Sequence, residues 1–390
     1  MATDNKNKVL NVPHLRFPEF SGEWEKYRLC DVASIVGRIG FRGYTTNDIV
    51  TKGKGAIALS PTNIENNKLT YDKDNTYISF YKYEESPEIM IKQGDVIFVK
   101  TGSTVGKVAY VDKLICKTTL NPQVVVLKDI QCDNYLLSVL MSTNKFQNAI
   151  RKIIVGGAVP TLSQAAMGDI VVTMPQATEQ EKLSKFISLL DDRIATQNKI
   201  IEDLKILKSA IAERLFNSTD GDILSLSDVC IIQKGKQVNG EDLSETGKFY
   251  VMNGGVEPSG YYDQCNTPAN TISISEGGNS CGYIQYNRDA FWSGGHCYTL
   301  NNIQANVCKL YLYHYLKSQE SSIMKLRIGT GLPNIQKKDL EKFHILLTSK
   351  AIQESISAFL TTIDRKITNE DMLLQRFQKG KQYLLRQMFI

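Results

Sequence analysis

Residues 179–216 read EQEKLSKFISLLDDRIATQNKIIEDLKILKSAIAERLF and contain neither proline nor glycine. Apolar side chains recur along this stretch mostly every four, then three, residues. They are Leu183, Ile187, Leu190, Ile194, Ile201, Leu204, Ile211 and Leu215. This spacing is typical of a helix with one apolar side. At a rise of about 1.5 Å per residue, the predicted helix is a rod roughly 55 Å long.

The same pattern occurs a second time in the chain. Residues 155–216 align with residues 328–389 without a gap, at a constant offset of 173 residues. The second apolar series is Ile356, Leu360, Ile363, Ile367, Leu374, Phe377, Leu384 and Met388. A rod of this length cannot bury its whole apolar side against one compact domain. We therefore expect the two helices to pack against each other in antiparallel orientation, about a pseudo-two-fold axis.

Both apolar series skip one position, where Gln197 and Glu370 stand. A polar residue at such a position often fixes the register of paired helices at some cost in stability. The end of a helix that bends away from its partner would give the same pattern. The sequence leaves both interpretations open.

The chain is therefore expected to be an α+β protein that alternates globular units with long helices. The predicted segments are a first globular unit (1–178), a central helical arm (179–216), a second globular unit (217–350) and a C-terminal helical arm (351–390). The globular units share weaker similarities, such as LCDV at 29–32 and LSDV at 226–229. A shared scaffold that carries two diverged binding domains would look like this.

Composition narrows the class of protein. The polar stretch Met1–Lys8 does not resemble a secretory signal, and no run of 18 apolar residues exists, so we expect a cytoplasmic protein. The eight cysteines occur singly without a CxxC pair and histidines number four, so we expect reduced thiols and no metal site. The net charge of +5 permits nucleic-acid binding without requiring it.

Two apparent enzyme motifs fail on inspection. Residues 102–107, GSTVGK, resemble a phosphate-binding loop but have three residues instead of four between the glycines, and Val108 follows the lysine. Residues 121–124, NPQV, lack the second proline and the aromatic residue of an amino-methyltransferase motif. The scattered histidines form no recognisable catalytic set, so we expect no catalytic residues in this chain.

Each globular unit instead contains a loop of glycine and small hydroxyl residues between two predicted strands, at 100–107 and 275–282. Such loops let the backbone approach phosphate, while lysine, arginine, asparagine and glutamine side chains can contact phosphates or base edges. The candidate DNA-binding residues of the first unit are Arg38, Arg42, Lys100, Thr101, Ser103, Thr104, Lys107, Asn121 and Gln123. Those of the second unit are Lys234, Lys236, Asn253, Ser275, Asn279, Ser280, Asn287, Arg288 and His296. Each of them could instead be an ordinary surface or turn residue.

Taken together, these features resemble the specificity subunit of type I restriction–modification systems. The similarity includes VPHLRFPEFSGEW at 12–24, the arm junctions GGAVPTL at 156–162 and GTGLPNI at 329–335, and TEQE at 178–181 with the helix that follows. The resemblance covers essentially the whole chain. It implies two target-recognition domains, each reading one half of a split asymmetric DNA site, with the helical arms as a coiled-coil spacer.

The resemblance also implies partners and cofactors. Two methyltransferase subunits would dock on the arms, and restriction and translocase subunits would join through them, with no membrane involved. S-adenosylmethionine, ATP and magnesium would be bound by those partners and not by this chain. Two other hypotheses remain: a coiled-coil adaptor whose degenerate domains no longer bind DNA, and a stand-alone nuclease or methyltransferase.

Overall fold

The computed structural model describes residues 11–71, 74–329, 331 and 333–389. The Met1–Lys8 stretch, and Thr330 and Leu332 of the second arm junction, lie outside the described residues. Contacts divide the chain into two units of mixed α and β structure. Unit 1 consists of Met1–Ala195 with Gln375–Ile390, and unit 2 of Thr196–Leu374.

Unit 1 is built on three sheets with the strand orders β1-β12, β10-β4-β7-β3 and β2-β11-β8-β9-β6-β5. Its strands are β1 (Glu25–Arg28), β2 (Ser34–Gly37), β3 (Ile49–Val50), β4 (Gly55–Leu59), β5 (Ile64–Glu65), β6 (Lys68–Leu69), β7 (Tyr77–Ser79), β8 (Val96–Val99), β9 (Val108–Tyr110), β10 (Thr118–Leu120), β11 (Val124–Lys128) and β12 (Val171–Met174).

The helices of unit 1 surround these sheets. They are α1 (Leu29–Val32), α2 (Phe80–Glu84), α3 (Asn134–Ser142), α4 (Asn144–Ile153), α5 (Gln164–Gly168) and the first part of α6 (Ala177–Asn217), with short 3-10 turns at Gly40–Arg42, Thr46–Asp48, Pro61–Asn63 and Pro87–Ile89.

Strand β8 shows why the largest sheet is central to unit 1. All four of its side chains are buried, and alternate residues enter different cores. Val96 and Phe98 pack with α3, while Ile97 and Val99 pack with residues of β4 and β10. Because successive side chains of a strand point to opposite faces, a strand covered on both faces is apolar throughout.

Unit 2 repeats the centre of this plan. Its sheets have the orders β13-β21, β14-β20-β17-β18 and β16-β15-β19. Its strands are β13 (Asp222–Ser225), β14 (Ile231–Lys234), β15 (Phe249–Met252), β16 (Tyr261–Tyr262), β17 (Thr271–Ser275), β18 (Ile284–Asn287), β19 (Trp292–Ser293), β20 (Cys297–Asn301) and β21 (His344–Leu347). Its helices are the rest of α6, α7 (Leu226–Val229), α8 (Lys309–Ser318), α9 (Glu320–Met324), α10 (Lys337–Glu341) and the first part of α11 (Lys350–Met388), with a 3-10 turn at Gly240–Asp242. The central order β14-β20-β17-β18 corresponds to β2-β11-β8-β9 of unit 1.

Within each unit, the segments of the two long helices run antiparallel. In unit 1, Asp191 of α6 forms an ion pair with Lys381 of α11. In unit 2, Lys208 forms an ion pair with Asp364 at 2.5 Å, and the cluster that contains Phe216 also contains Leu360. The sixteen apolar side chains predicted for the arms are all buried or half-buried.

The arms do not bury their apolar sides only against each other, as the length argument suggested. Leu183 and Ile187 belong to the core of unit 1, together with Leu137 of α3. In unit 2, Ile356 and Leu360 pack beside Tyr311 of α8. In each unit, a helix of the globular part therefore covers some of the apolar side of the arms.

The polar pair Gln197 and Glu370 forms an interhelical hydrogen bond in unit 2. The Gln197 side chain is buried, and its Nε2 donates to the Glu370 carboxylate at 2.5 Å and to its carbonyl oxygen at 3.2 Å. Both helices continue through these positions, so the pair does not mark a bent helix end. The two residues are equivalent in the repeat, as expected at the middle of an antiparallel pair.

The N-terminal segment packs on the helix ends of unit 1. The Arg16 guanidinium makes two hydrogen bonds to the buried Glu179 carboxylate, at 2.8 and 2.6 Å. The Phe17 ring meets Phe186 edge-on at 5.8 Å. This segment therefore joins the start of α6 to the globular part of the unit.

Two chemical features accompany the fold. None of the helices in the described part of the chain has the length and apolarity needed to cross a membrane, and the described residues contain no His, Cys, Asp and Glu group arranged to hold a metal ion. All eight cysteines are described and are free thiols. Burial raises the pKa of Cys230 to about 12 and that of Cys297 to about 11, so both thiols stay protonated at neutral pH.

Candidate nucleic-acid interface

In unit 1, four predicted residues meet at one end of the largest sheet. Lys100 follows β8, and Gln123 immediately precedes β11. The backbone N–H groups of Lys100 and Thr101 donate to the Gln123 carbonyl oxygen at 2.9 and 3.3 Å. Asn121 Nδ2 donates to Gln123 Oε1 at 3.2 Å. The Gln123 side chain is exposed, and Lys100 is half-exposed.

The rest of the first loop is shaped by the arm junction. Gly102 N–H donates to the Pro160 carbonyl oxygen at 2.9 Å, and Leu162 N–H donates to that of Lys100 at 2.8 Å. Gly102 has a φ of +106°, a left-handed conformation that favours glycine. Ser103 is exposed at the tip of this loop.

Thr104 and Lys107 lie on a different side of the same loop. Both line a cleft of about 510 Å³, and Lys107 Nζ donates to the Ile64 carbonyl oxygen at 3.3 Å. The structure therefore separates these two candidates from the group around Gln123.

Arg38 has a structural role that the sequence did not predict. It is buried; its Nε donates to the Leu120 carbonyl oxygen at 2.9 Å and its Nη2 to Thr119 Oγ1 at 3.2 Å. Burial lowers the pKa of its guanidinium. Arg42 donates to the Glu85 carbonyl oxygen and lies 3.5 Å from the Glu88 carboxylate. Arg38 therefore serves the interior of unit 1, whereas an exposed donor was expected, and the half-buried Arg42 is engaged by Glu85 and Glu88.

In unit 2, the structure again gathers candidates at one end of the central sheet. Lys234 ends β14, Ser275 ends β17, and His296 precedes β20. Ser275 Oγ and Ser280 Oγ both donate to the Gly254 carbonyl oxygen at 2.6 Å. Two further contacts attach the neighbouring loops: His296 N–H donates to Asn253 Oδ1 at 3.1 Å, and Lys236 N–H donates to the Ser293 carbonyl oxygen at 2.8 Å. Asn279 is exposed in the second loop.

Asn287 and Arg288 do not join this group. Strand β18 runs antiparallel to β17, so its last residue, Asn287, pairs with the first residue of β17, at the opposite end of the sheet. Asn287 is buried, and its Nδ2 donates to the Thr271 carbonyl oxygen at 3.0 Å and to Ser273 Oγ at 2.8 Å. The prediction that Asn287 lies with the loop residues is therefore wrong. It rested on side-chain chemistry alone and did not take the direction of β18 into account.

A polar cleft of about 670 Å³ adjoins Lys234 in unit 2. Lys234, Lys236 and Lys309 line it together with asparagine, threonine and serine side chains. No aspartate or glutamate is among the described residues that line it. Such a surface suits a polyanion.

Sequence reasoning missed one residue of this edge, Glu276. Its carboxylate is largely buried, with Oε1 2.5 Å from Lys234 Nζ and 3.0 Å from the Tyr298 hydroxyl, and with Oε2 3.4 Å from His296 Nδ1. A carboxylate accepts hydrogen bonds and repels phosphate, so Glu276 did not fit the pattern expected of a DNA-contacting residue. The repeat offered the signal, because Glu276 stands where the first loop has Lys100.

Backbone contacts define this equivalence. Glu276 N–H donates to the His296 carbonyl oxygen at 2.9 Å, as Lys100 N–H does to Gln123. Ile335 N–H donates to the Glu276 carbonyl oxygen, as Leu162 N–H does to Lys100. The two loops therefore share one backbone plan, and lysine and glutamine in the first are replaced by glutamate and histidine in the second.

The polar loops at this end of each central sheet, around Lys100 and Gln123 in unit 1 and around Glu276 and His296 in unit 2, are called the loop edges below. The chain thus belongs to a class of proteins with two related α+β domains, each with such a loop edge and each joined to long helices. Comparison with known proteins gives the family. A model of the family described as "Type I restriction modification DNA specificity domain" matches residues 21–205 and 220–376. These matches cover most of the chain, which therefore belongs to this family.

Curated relatives carry corresponding names. A putative type I specificity subunit of Mycoplasma genitalium is 35% identical over 160 residues, which are 40% of this chain and 42% of that protein. A putative type I specificity subunit of Mycoplasma pneumoniae is 33% identical over 160 residues, which are again 40% of this chain and 42% of that protein. The chain thus spans less than half the length of these two relatives. A putative type I restriction enzyme MjaX specificity subunit of Methanocaldococcus jannaschii is 22% identical over 97% of this chain and 95% of its own length.

Solved structures share the fold. The crystal structure of a type I restriction–modification S subunit from M. genitalium superposes with a TM-score of 0.63 at 18% identity, covering 97% of this chain and 99% of that one. A second structure, from work on complex assembly and conformational transition of the type I system, gives a TM-score of 0.55 at 17% identity and covers 93% of this chain and 96% of that one.

Proposed function

We propose that this chain is the DNA-specificity subunit of a type I restriction–modification complex. The observation that carries the proposal is that the family match occurs once in each half of the chain, and each half has its own polar loop edge. Two binding edges with different side chains suit a DNA site with two different halves.

The proposed organisation assigns a role to each segment. The segments are a first target-recognition domain (1–178), a central helical arm (179–216), a second target-recognition domain (217–350) and a C-terminal arm (351–390) that pairs with the central one. Helix α6 has 41 residues, which at about 1.5 Å per residue correspond to roughly 60 Å. That length exceeds one turn of duplex DNA, roughly 34 Å, so a paired-arm spacer can separate two half-sites.

We further propose that the chain is non-catalytic and acts in the cytoplasm. Two methyltransferase subunits dock on the arms, and the restriction and translocase subunits join through them. S-adenosylmethionine, ATP and magnesium are bound by those partners. The retention of the arm contacts in both copies of the repeat supports docking in equivalent poses.

Of the predicted DNA contacts, the proposal retains the residues whose side chains reach the two loop edges. They are Lys100, Thr101, Ser103 and Gln123 in the first domain, and Lys234, Lys236, Asn279 and His296 in the second. Asn121, Asn253, Ser275 and Ser280 support these edges through hydrogen bonds within the domain.

The test is a map of modified bases across the source genome, with and without this gene. Loss of one split, asymmetric motif on deletion supports the specificity role and identifies both half-sites. A matched strain carries Lys100→Met with Gln123→Met, which should alter the first half-site only. An unchanged map in a strain whose methyltransferase still binds the chain would favour the adaptor hypothesis instead.

A further inference from the structure

The second loop edge contains a carboxylate that lies beside two side chains predicted to contact DNA. Lys234 Nζ lies 2.5 Å from Glu276 Oε1, and His296 Nδ1 lies 3.4 Å from Glu276 Oε2. The Lys234 and His296 side chains are 50% and 62% exposed, whereas the Glu276 side chain is 11% exposed. Glu276 is thus placed to orient the two exposed groups and not to touch a ligand itself.

The two oxygens of this carboxylate have different surroundings. Oε1 is close to both the Lys234 ammonium and the Tyr298 hydroxyl, which lies 3.0 Å away. Among the described residues, buried Oε2 has no hydrogen-bond partner by strict geometry, and His296 Nδ1 is the polar group beside it. A proton on Nδ1 would satisfy this otherwise unpaired oxygen.

The tautomer of a neutral imidazole follows from the hydrogen bond that one of its nitrogens makes. With the proton on Nδ1 facing Glu276, the outer nitrogen Nε2 is a hydrogen-bond acceptor. Lys234 remains a donor. One donor and one acceptor, fixed by the same carboxylate, are the complement of an adenine edge, which offers N7 as acceptor and the N6 amino group as donor.

We propose that Glu276 is a positioning residue that sets the tautomer of His296, so that Lys234 and His296 together read one adenine in the second half-site. The inference rests on the proposed DNA-specificity function. The first domain has Lys100 and Gln123 at the equivalent positions and lacks this arrangement.

The substitution Glu276→Gln separates a tautomer role from a structural one. The Lys234 ammonium requires an acceptor at the Oε1 position, so the new amide nitrogen takes the place of Oε2. The Tyr298 hydroxyl can donate to this acceptor or to the Ile335 carbonyl oxygen, 3.1 Å away. That nitrogen donates to His296 Nδ1, which moves the imidazole proton to Nε2. Lys234 and His296 then present two donors, which match the O6 and N7 acceptors of guanine.

The test is selection from randomised duplexes by the full chain co-expressed with its methyltransferase subunits. In the wild-type complex, one position of the second half-site prefers adenine, by about ten- to a hundredfold. Replacing that base with 7-deazaadenine, which lacks N7, weakens binding unless Lys234 is changed to Met. Purine without the amino group weakens it unless His296 is changed to Phe. In the Glu276→Gln complex the preference at that position moves to guanine.

Controls lie in the same protein. The first half-site reports folding and should not change in any of these variants. Asp289→Asn removes an exposed carboxylate at the opposite end of the same sheet and should leave the second half-site unchanged. Unchanged base preference in Glu276→Gln, or uniformly weaker binding to all sequences, would overturn the inference while leaving the specificity role intact. A wild-type complex without any split preference would refute both.

Discussion

Gln353 provides a direct test of how the long helix is attached to unit 2. Its side chain is 1% exposed. Its Oε1 accepts from the Cys308 N–H at 2.7 Å, and its Nε2 donates to the carbonyl oxygens of Thr348 at 2.7 Å and Asn306 at 3.1 Å. Cys308 is the N-cap of α8 and provides no side-chain cap for that helix. Gln353 thus binds the start of α8 to the start of α11.

The repeat supplies a weaker counterpart in unit 1. Gln180 Oε1 accepts from the Asp133 N–H at 2.9 Å, and its Nε2 donates to the Pro175 carbonyl oxygen at 2.8 Å. Gln180 is half-buried, and Asp133 caps α3 itself by accepting from the Leu136 N–H. Water can replace the glutamine here more easily than in unit 2.

The substitutions Gln353→Met and Gln180→Met preserve volume and remove the hydrogen bonds. A buried polar group left without a partner costs about 1–3 kcal/mol, and a hydrogen bond that water can replace costs about 1 kcal/mol. We expect Gln353→Met to destabilise the start of α8 by about 3 kcal/mol and Gln180→Met to destabilise the start of α3 by about 1 kcal/mol. At tenfold for each 1.4 kcal/mol, amide exchange should rise about a hundredfold in the first case and less than tenfold in the second.

Hydrogen exchange measured by mass spectrometry, with peptides that cover residues 306–316 and 131–141, gives both values in one experiment. Gln353→Glu is the matched control, since it keeps the acceptor for the Cys308 N–H but loses both donors. It should exchange at least as fast as Gln353→Met because it also buries a charge. Equal exchange of α8 in the wild type and in Gln353→Met would refute the argument that this side chain holds the helix start.

Three further outcomes follow from the same contacts. Ile363→Asp places a carboxylate in the arm interface and should lower the free energy of unfolding by several kcal/mol, whereas Thr362→Asp on the exposed side should not; urea denaturation compares them. Burial lowers the pKa of His314 to about 4, so between about pH 6.5 and pH 4 only the unfolded chain takes up a proton at this residue. The free energy of unfolding should therefore fall by about 3 kcal/mol as the pH drops through this range. The His314→Gln variant should lack this part of the pH dependence. Insertion of four residues, about one turn, into one arm should lengthen the spacer of the methylated motif and leave both half-sites unchanged.

The long helices could be predicted from sequence because their signal is local. The four-and-three spacing over 179–216 predicted a helix, and the structure has one over Ala177–Asn217. The spacing could not predict how much of the apolar side of each arm is covered by the globular part. Leu183 and Leu360 look alike in the series, yet their neighbours come from α3 and α8, far away in sequence.

The candidate site could be predicted only in part, because it depends on strand direction. Lys234, Ser275 and His296 meet because three neighbouring strands bring their ends together. Asn287 has suitable chemistry but lies at the far end of β18. Arg38 was predicted from its charge, but its guanidinium donates hydrogen bonds to Leu120 and Thr119 inside the domain.

The internal repeat separates positions that hold the scaffold from positions that differ between the domains. Asp191 and Lys381 pair in unit 1, and their equivalents Asp364 and Lys208 pair in unit 2. Gln180 and Gln353 each bind a helix start. In the loop edges, by contrast, the backbone contacts are kept while the side chains change.

This contrast has a physical consequence for specificity. Under the proposed function, substitutions at the loop edges would alter hydrogen bonds to DNA without disturbing the backbone contacts that position the loops. Lys100 and Glu276 occupy the same backbone position with opposite charge, so one scaffold tolerates either. The arm positions lack this freedom, because a change in Asp364 leaves Lys208 without its ion-pair partner. Under the proposed function, specificity would therefore change one half-site at a time while the arm contacts stay the same, as a subunit that reads a split DNA site requires.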